Sequence, residues 1–253
     1  MLFQYLLKRA KVFRGLYRTY LARQIAPYEP STWWDDRFYV SGVSDRQTIS
    51  AGKNPLSAAY HYASVELIVC RHLRNSDWDI RDRIVCDLGS GAGHWLEFYL
   101  SLGVRHCTGI DVSSNAVDFL RNQFKNHRGV SIKHGRLRDV LSELEATFDL
   151  INAIGVMFHL VDDEEWEETI HHVGKSLLPG GLFVAGGHFG LFDRVNVQFD
   201  QDGAVNKRLR SRRRWKRALA AAGFGRVKVY GNRAYLWIND SLPENNVLVA
   251  RKT

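Results

Sequence analysis

The residues most able to do chemistry lie in one short run, Val85-Cys86-Asp87-Leu88-Gly89-Ser90-Gly91-Ala92-Gly93-His94-Trp95. It reads as an apolar strand ending on an acid, then glycine at alternate positions, then the first turn of a helix. Glycines there let the backbone turn tightly and approach a ligand closely, because no Cβ intervenes. A phosphate-cradling loop needs G-x-x-x-x-G-K-[ST], and no lysine follows these glycines. A dinucleotide turn needs G-x-G-x-x-G, whereas here the third glycine comes one residue early. Asp87, ahead of the first glycine, would repel a pyrophosphate but could accept from an ammonium group. The spacing therefore favours a phosphate-free nucleoside that carries an amino acid.

Three further marks follow in order. Gly109-Ile110-Asp111-Val112-Ser113 ends the next apolar run and places a second acid 22 residues after Gly89. Leu178-Pro179-Gly180-Gly181 and Ala221-Ala222-Gly223-Phe224 precede two later strands. Together with acid-x-G-x-G-x-G, these resemble the class I S-adenosylmethionine-dependent methyltransferases from about Ala58 to Thr253. The resemblance implies a cofactor site of Asp87, Leu88, Gly89, Gly91 and Gly93 around the turn, with Asp111 and Val112 at the ribose hydroxyls. Arg136, Leu137, Asn152 and Ala153, beyond the third strand and at the end of the fourth, complete that set. One departure is visible. Where the family often has an acid for the adenine amino group, the chain reads His134-Gly135-Arg136-Leu137-Arg138-Asp139, so Leu137 is expected to pack on the ring and Asp139 lies further along.

Displacement at a methyl group asks an enzyme for alignment and, with a hydroxyl acceptor, for a base. His159, beyond the fourth strand in Gly155-Val156-Met157-Phe158-His159, is the expected base, with His188 as a second candidate. Trp33-Trp34-Asp35-Asp36-Arg37-Phe38-Tyr39, Tyr60 and Tyr62 are expected to cover the cofactor and shape an acceptor pocket, and Leu191 to Ala204 to act as a lid. No Asn/Asp-Pro-Pro-aromatic follows the fourth strand, as base-amino methylation would ask, and no cysteine sits on a plausible active-site loop. The strand ends in Asn152, Ala153 and Ile154 rather than metal-binding carboxylates. Asp162, Asp163, Glu164, Glu165, Glu167 and Glu168, with His171 and His172, read as a solvated helix start favoured by the dipole, so no metal is expected.

Positioning these residues takes an alternation of strands and helices. Strands are expected at Arg83 to Leu88, His106 to Ile110, Val130 to Lys133, Phe148 to Ala153, Leu182 to Ala185, Arg226 to Tyr230 and Val247 to Ala250. Helices are expected at Gly93 to Leu102, Ser113 to Asn126, Leu137 to Ala146, Asp162 to Leu178, where Pro179-Gly180-Gly181 stops the chain, and Lys207 to Ala222. The fold class is α/β, a Rossmann-like three-layer sandwich on a seven-stranded, mostly parallel sheet. The short connection from Gly231 to Asn246 makes the last pair a hairpin with one antiparallel edge strand. Ahead of this domain, residues 56–253, lies an N-terminal helical cap, residues 1–55: an amphipathic basic helix, then a turn-rich stretch from Ala26 to Pro55. Another helix, Leu56 to Leu73, opens the domain.

The 253 residues, 45% hydrophobic and 25% charged, exclude a disordered chain, and no apolar run approaches the roughly 20 residues of a membrane span. Cys70, Cys86 and Cys107 are odd in number and sit in apolar runs, which points to a cytoplasmic protein; the first residues lack the order of a signal peptide. The net charge of +8 is local. Lys207 to Arg217 holds eight basic residues and no acid, and the first 28 residues hold six more, leaving 21 of the 35 basic residues against all 27 acids elsewhere. The sequence thus predicts an S-adenosylmethionine-dependent methyltransferase acting on a hydroxyl of a small-molecule, glycan or lipid-linked acceptor. Residues 1–25 could add peripheral contact with a membrane surface. RNA or protein methylation recruited through 207–217 is the alternative, and a non-catalytic cofactor-binding scaffold a third.

Overall fold

The computed structural model describes residues 28–49, 55–76, 78–187, 189–190, 193, 195–198, 205–231 and 246–253. The expected basic helix of the N-terminus, His188 and nine of the fourteen residues of the expected lid lie outside these. The elements run α1 (Pro30–Ser41), α2 (Asp45–Ile49), α3 (Pro55–Asn75), β1 (Ile84–Leu88), α4 (His94–Ser101), β2 (His106–Asp111), α5 (Ser114–Gln123), β3 (Val130–His134), α6 (Leu137–Ser142) and β4 (Phe148–Ile154). A single 3-10 turn (Met157–His159) leads to α7 (Asp163–Ser176), β5 (Leu177–Gly187), β6 (Val195–Gln198), β7 (Val205–Leu209), α8 (Arg212–Ala221), β8 (Phe224–Tyr230) and β9 (Asn246–Lys252).

All seven expected strands form one sheet, in the order β3-β2-β1-β4-β5-β9-β8. Order reverses between β1 and β4, so the chain leaves the sheet in opposite directions on either side of β1, and a cleft opens at the carboxyl ends of these strands. Side chains alternate across the strands. Cys86, Leu88, Ile151 and Phe183 face a core shared with Trp166 and Ile170 of α7 and Trp215 and Leu219 of α8. Val85, Leu150, Val184 and Val249 face the other core, filled by Tyr62, Val65 and Val69 of α3 and Trp95 and Tyr99 of α4. Among the described residues no helix is long and apolar enough to cross a membrane.

Four expectations are corrected. The last strand is antiparallel as expected, but it is not at the edge: β9 inserts between β5 and β8, antiparallel to both. Its residues from Asn246 to Ala250 are all buried, whereas β8 carries exposed Arg226 and Lys228, and a charged strand suits an edge better than an apolar one. The basic stretch is not one helix. Residues 205–209 form β7, paired with β6 in a separate two-stranded sheet, and Ser211 caps α8 by accepting from the Arg214 amide. The stretch from Ala26 to Pro55 contains two helices, α1 opened by Pro30 and closed by Gly42 at φ 73°. Finally, α7 stops at Ser176, ahead of Pro179-Gly180-Gly181, which bulges within β5 at the register shift between Phe148 and Leu150.

Candidate active site

The site is built on the carboxyl end of β1. Gly89 and Ser90 donate their amides to the Ile110 carbonyl at 2.8 and 3.2 Å, which folds the turn onto β2. Two glycines are demanded sterically as well as conformationally. At Gly89, φ 69°, a Cβ would come within 2.6 Å of Val156 Cγ2; at Gly91, φ 53°, it would come within 2.5 Å of Thr48 Cγ2. The turn is thus a backbone cradle with no room for side chains.

Asp111 closes β2 and holds the cradle. Its Oδ2 accepts from the Gly91 amide at 2.8 Å and its Oδ1 from the Ser113 amide at 2.9 Å. Burial raises its pKa, and those two amides oppose the rise. Asp87 lies behind the turn, fully buried. Its Oδ1 accepts from Asn152 Nδ2 at 2.7 Å, and Asn152 Oδ1 in turn accepts from the Tyr99 hydroxyl at 3.0 Å. Asp87 Oδ2 has no hydrogen-bond partner among the described residues, and burial pushes the carboxyl up to about 7 against the Asn152 hydrogen bond.

That shift has a measurable consequence. A carboxyl whose folded pKa exceeds its unfolded value adds stability at low pH and loses it as pH rises through the folded value. The contribution of Asp87 is therefore complete below about pH 4 and lost by pH 7 to 8. Asp87→Asn keeps the shape and removes the titration. In thermal melts of ligand-free protein, wild type is expected to lose stability relative to Asp87→Asn between pH 5 and 8; a constant difference overturns the assignment.

Above the cradle sits the cap. Asp35 of α1 accepts from Ser113 Oγ at 2.5 Å, Ser114 Oγ at 2.9 Å and the Asn115 amide at 3.1 Å, so an acid from α1 docks on the start of α5. Burial works against the charge, and these donors outweigh it, holding the carboxyl below its usual range. His94, at the first position of α4, joins the remaining cap elements: Nε2 meets Glu66 of α3 at 2.6 Å, Nδ1 meets Asp45 of α2 at 3.2 Å, and Tyr62 stacks on its ring at 3.5 Å. Burial alone would depress this imidazole; the two carboxylates reverse that and raise its pKa.

Cap and cradle enclose a cavity of about 270 Å³. Of the expected residues, Gly89, Gly91, Asp111, Val112, Arg136, Leu137 and His159 line it, as do Trp33, Trp34, Arg37, Phe38 and Tyr62. Asp87 and Asn152 stand behind the wall, Leu88 and Ala153 belong to the core, and Gly93 backs onto Leu120 and Phe124. Tyr60 does not line the cavity and Tyr39 is exposed. Arg136 is held between Glu29 at 2.6 Å and Glu165 at 3.3 Å. His159 is buried, its Nδ1 2.7 Å from the Asn206 carbonyl, with Trp34 edge-on at 5.2 Å and Phe158 at 4.6 Å between ring centroids. A carbonyl only accepts, so Nδ1 carries the proton and the neutral ring has its lone pair on Nε2. Thr48, His61, Asn206 and Lys207 also line the cavity. No spacing in the sequence marks Thr48, His61 or Asn206, and Lys207 was hidden in an expected helix.

Asp163 departs from the expected solvated face at the start of α7, whereas Asp162, Glu164 and Glu167 are exposed as expected. Asp163 meets Arg208 at 3.4 Å, Arg210 at 2.9 Å and Arg214 at 3.1 Å, and Glu167 meets Arg214 at 2.8 Å. Arg210 is almost fully buried, its guanidinium 4.5 Å from the Trp166 ring centroid. Three of the eight cations of the basic stretch therefore serve an internal network. Asp162 does act as the expected cap, accepting from the Glu164 and Glu165 amides. No group of three or more metal-binding side chains is present among the described residues.

Residues 85–181 match the family model of the methyltransferase domain. The chain is similar in structure to 1,6-didemethyltoxoflavin-N1-methyltransferase of Burkholderia thailandensis, solved with 1,6-didemethyltoxoflavin and S-adenosylhomocysteine (TM-score 0.64, 19% identity, covering 90% of this chain and 92% of that one). It is also similar to magnesium protoporphyrin IX methyltransferase of Synechocystis PCC 6803, solved with S-adenosylmethionine (TM-score 0.61, 16% identity, 90% and 99%). An S-adenosylmethionine-dependent methyltransferase of Mesorhizobium loti aligns over less of the chain (TM-score 0.54, 19% identity, 69% and 93%). No curated protein matches the sequence significantly. At these identities the structural likeness establishes the fold. The matched methyltransferase domain, residues 85–181, lies inside that fold.

Proposed function

We propose that the protein methylates a hydroxyl group of a small molecule seated in the aromatic half of the cavity, with His159 as the base. The observation that carries this reading is His159 itself: buried at the cavity wall, with Nδ1 committed to the Asn206 carbonyl and Nε2 left as the basic atom. The residues present fit the cofactor. Gly89 and Gly91 leave a cradle that a Cβ would fill, and behind it Asp87 Oδ2 is a buried acceptor with no hydrogen-bond partner among the described residues. Asp111 would take the ribose hydroxyls, Val112 and Leu137 would flank the adenine, and Asn152 would hold Asp87 in place. S-adenosylmethionine supplies a sulfonium methyl group that is open to in-line displacement. The chain then has to align the acceptor, exclude water and remove the hydroxyl proton; Trp33, Trp34 and Phe158 serve the first two tasks and His159 the third.

Two of the structural neighbours are named for small heteroaromatic or porphyrin substrates, which supports a small acceptor. Against RNA or protein, the basic stretch has Arg208, Arg210 and Arg214 engaged internally, so fewer of its charges face outward than its composition suggests. The test is transfer from methyl-labelled S-adenosylmethionine into fractionated cell extract, scoring small molecules, lipids, glycans, RNA and protein separately. Label in the small-molecule fraction is expected; label confined to RNA or protein overturns this reading.

A further inference from the structure

We infer that the outward face of α3, with the neighbouring face of β8, docks on an anionic lipid surface. α3 spans 21 residues, and its inner side carries Tyr62, Val65, Val69 and Leu73 into the core. The opposite side is where a surface helix ordinarily sets its charges. With about 3.6 residues per turn, Leu56, Ala63, Leu67 and Arg74 fall within roughly 20° of one line along that side, and Ala59 and Arg71 flank it. All six are exposed, Leu56 at 83% and Leu67 at 69%. From Pro55 to Val65 the helix holds no Asp, Glu, Lys or Arg. Its solvent line is therefore apolar from Leu56 to Leu67 and cationic at its end.

Further cations stand alongside. His72 Nδ1 of α3 lies 2.6 Å from the Tyr230 hydroxyl of β8, which sets the two elements side by side. Alternation along β8 puts Lys228 and Arg226 on the same face of the sheet as Tyr230, and both are exposed. Burial depresses the His72 imidazole and the Lys228 charge adds to the fall; burial raises the Tyr230 hydroxyl and the Arg71 charge opposes the rise. Cations of both elements thus converge on this contact. The one carboxylate of α3, Glu66, is held by His94 at 2.6 Å. The helix therefore offers a second copy of the chain no acid to set against these cations, whereas an anionic leaflet supplies that charge and buries Leu56 and Leu67. Each cation near such a surface is worth about fivefold in partitioning. Tyr62, on the inner side of the same helix, lines the cavity, so docking brings the bilayer within one helix diameter, about 10 Å, of the site.

The test is co-sedimentation of the full chain with vesicles at about 0.1 M salt, comparing about 30% phosphatidylserine in phosphatidylcholine with phosphatidylcholine alone. Wild type is expected to bind the anionic vesicles at least about tenfold more tightly. That binding is expected to fall about tenfold or more in Leu67→Glu, and likewise in the double variant Arg71→Gln with Arg74→Gln. A cooperative thermal melt reports that each variant is folded, and Leu56→Glu, at the exposed first turn, gives a second reading where Leu67→Glu is not. Equal binding of wild type to the two vesicles overturns the inference. Anionic binding kept within about twofold in the folded variants also overturns it, since residues 1–25 would then account for all of it. So does a wild-type dimer in sedimentation velocity that Leu67→Glu dissociates, because a second copy then covers the face. These outcomes do not depend on what the protein methylates.

Discussion

Asp111→Ala is expected to weaken S-adenosylhomocysteine binding by about a hundredfold or more in titration calorimetry. The carboxylate holds the cradle as well as facing the ligand, since its two oxygens take the Gly91 and Ser113 amides at 2.8 and 2.9 Å. Alanine leaves both amides without their acceptor in a buried place, at about 1–3 kcal/mol each, and removes the proposed partner of the ribose hydroxyls as well. Gly91 tolerates no readjustment toward α2, because Thr48 already packs where its Cβ would be. Asp111→Asn, which keeps one acceptor oxygen, is expected to fall between wild type and alanine. A thermal melt separates local loss from unfolding: the sheet does not depend on this side chain, so a cooperative transition should persist. Alanine binding within about threefold of wild type would show that Asp111 does not serve the cofactor.

The second large effect is on turnover. His159→Gln is expected to lower kcat by about 10²- to 10⁴-fold while leaving S-adenosylhomocysteine affinity within about twofold, because the proposed role of the imidazole is on the acceptor proton and not on the cofactor. Glutamine can still donate to the Asn206 carbonyl, so the packing among Trp34 and Phe158 is largely kept and the lost property is basicity. The pH profile separates a base from a spacer. Wild type should show a limb in its kcat–pH profile that the variant lacks. If the limb survives, or turnover is within threefold of wild type, the proton leaves by another route.

Much of the cofactor end was legible in the chain because it is made of near neighbours. A turn of alternating glycines, an acid at the end of each flanking strand and the apolar runs between them are local patterns, and the sheet order follows once they are placed. Gly89, Gly91 and Asp111 stand where the spacing put them, and His159 ends the 3-10 turn after β4 at the cavity wall. The misreadings share one cause. Periodicity within a window ranks a segment's own preference and is blind to what lies opposite, so Lys207 to Ala222 was read as one helix although β6 was available to pair with its first three residues. Likewise an antiparallel strand was expected at the edge from connection length alone, although the antiparallel strand is β9, whose apolar character needs cover on both faces.

Charge gives the sharpest division. The chain's composition shows eight cations in eleven residues and a row of acids some forty residues earlier, and invites an explanation in terms of outside partners. In the folded protein Asp163 and Glu167 meet Arg208, Arg210 and Arg214, while Lys207, one residue from Arg208, enters the cavity beside Phe158. Coulomb interaction decays with distance in space and takes no account of separation along the chain. Which cations meet the acids of α7 and which line the cavity was therefore settled by the packing of β7 and α8 against α7, whereas the glycine turn and its two acids could be read from spacing because their partners are a few residues or one adjacent strand away.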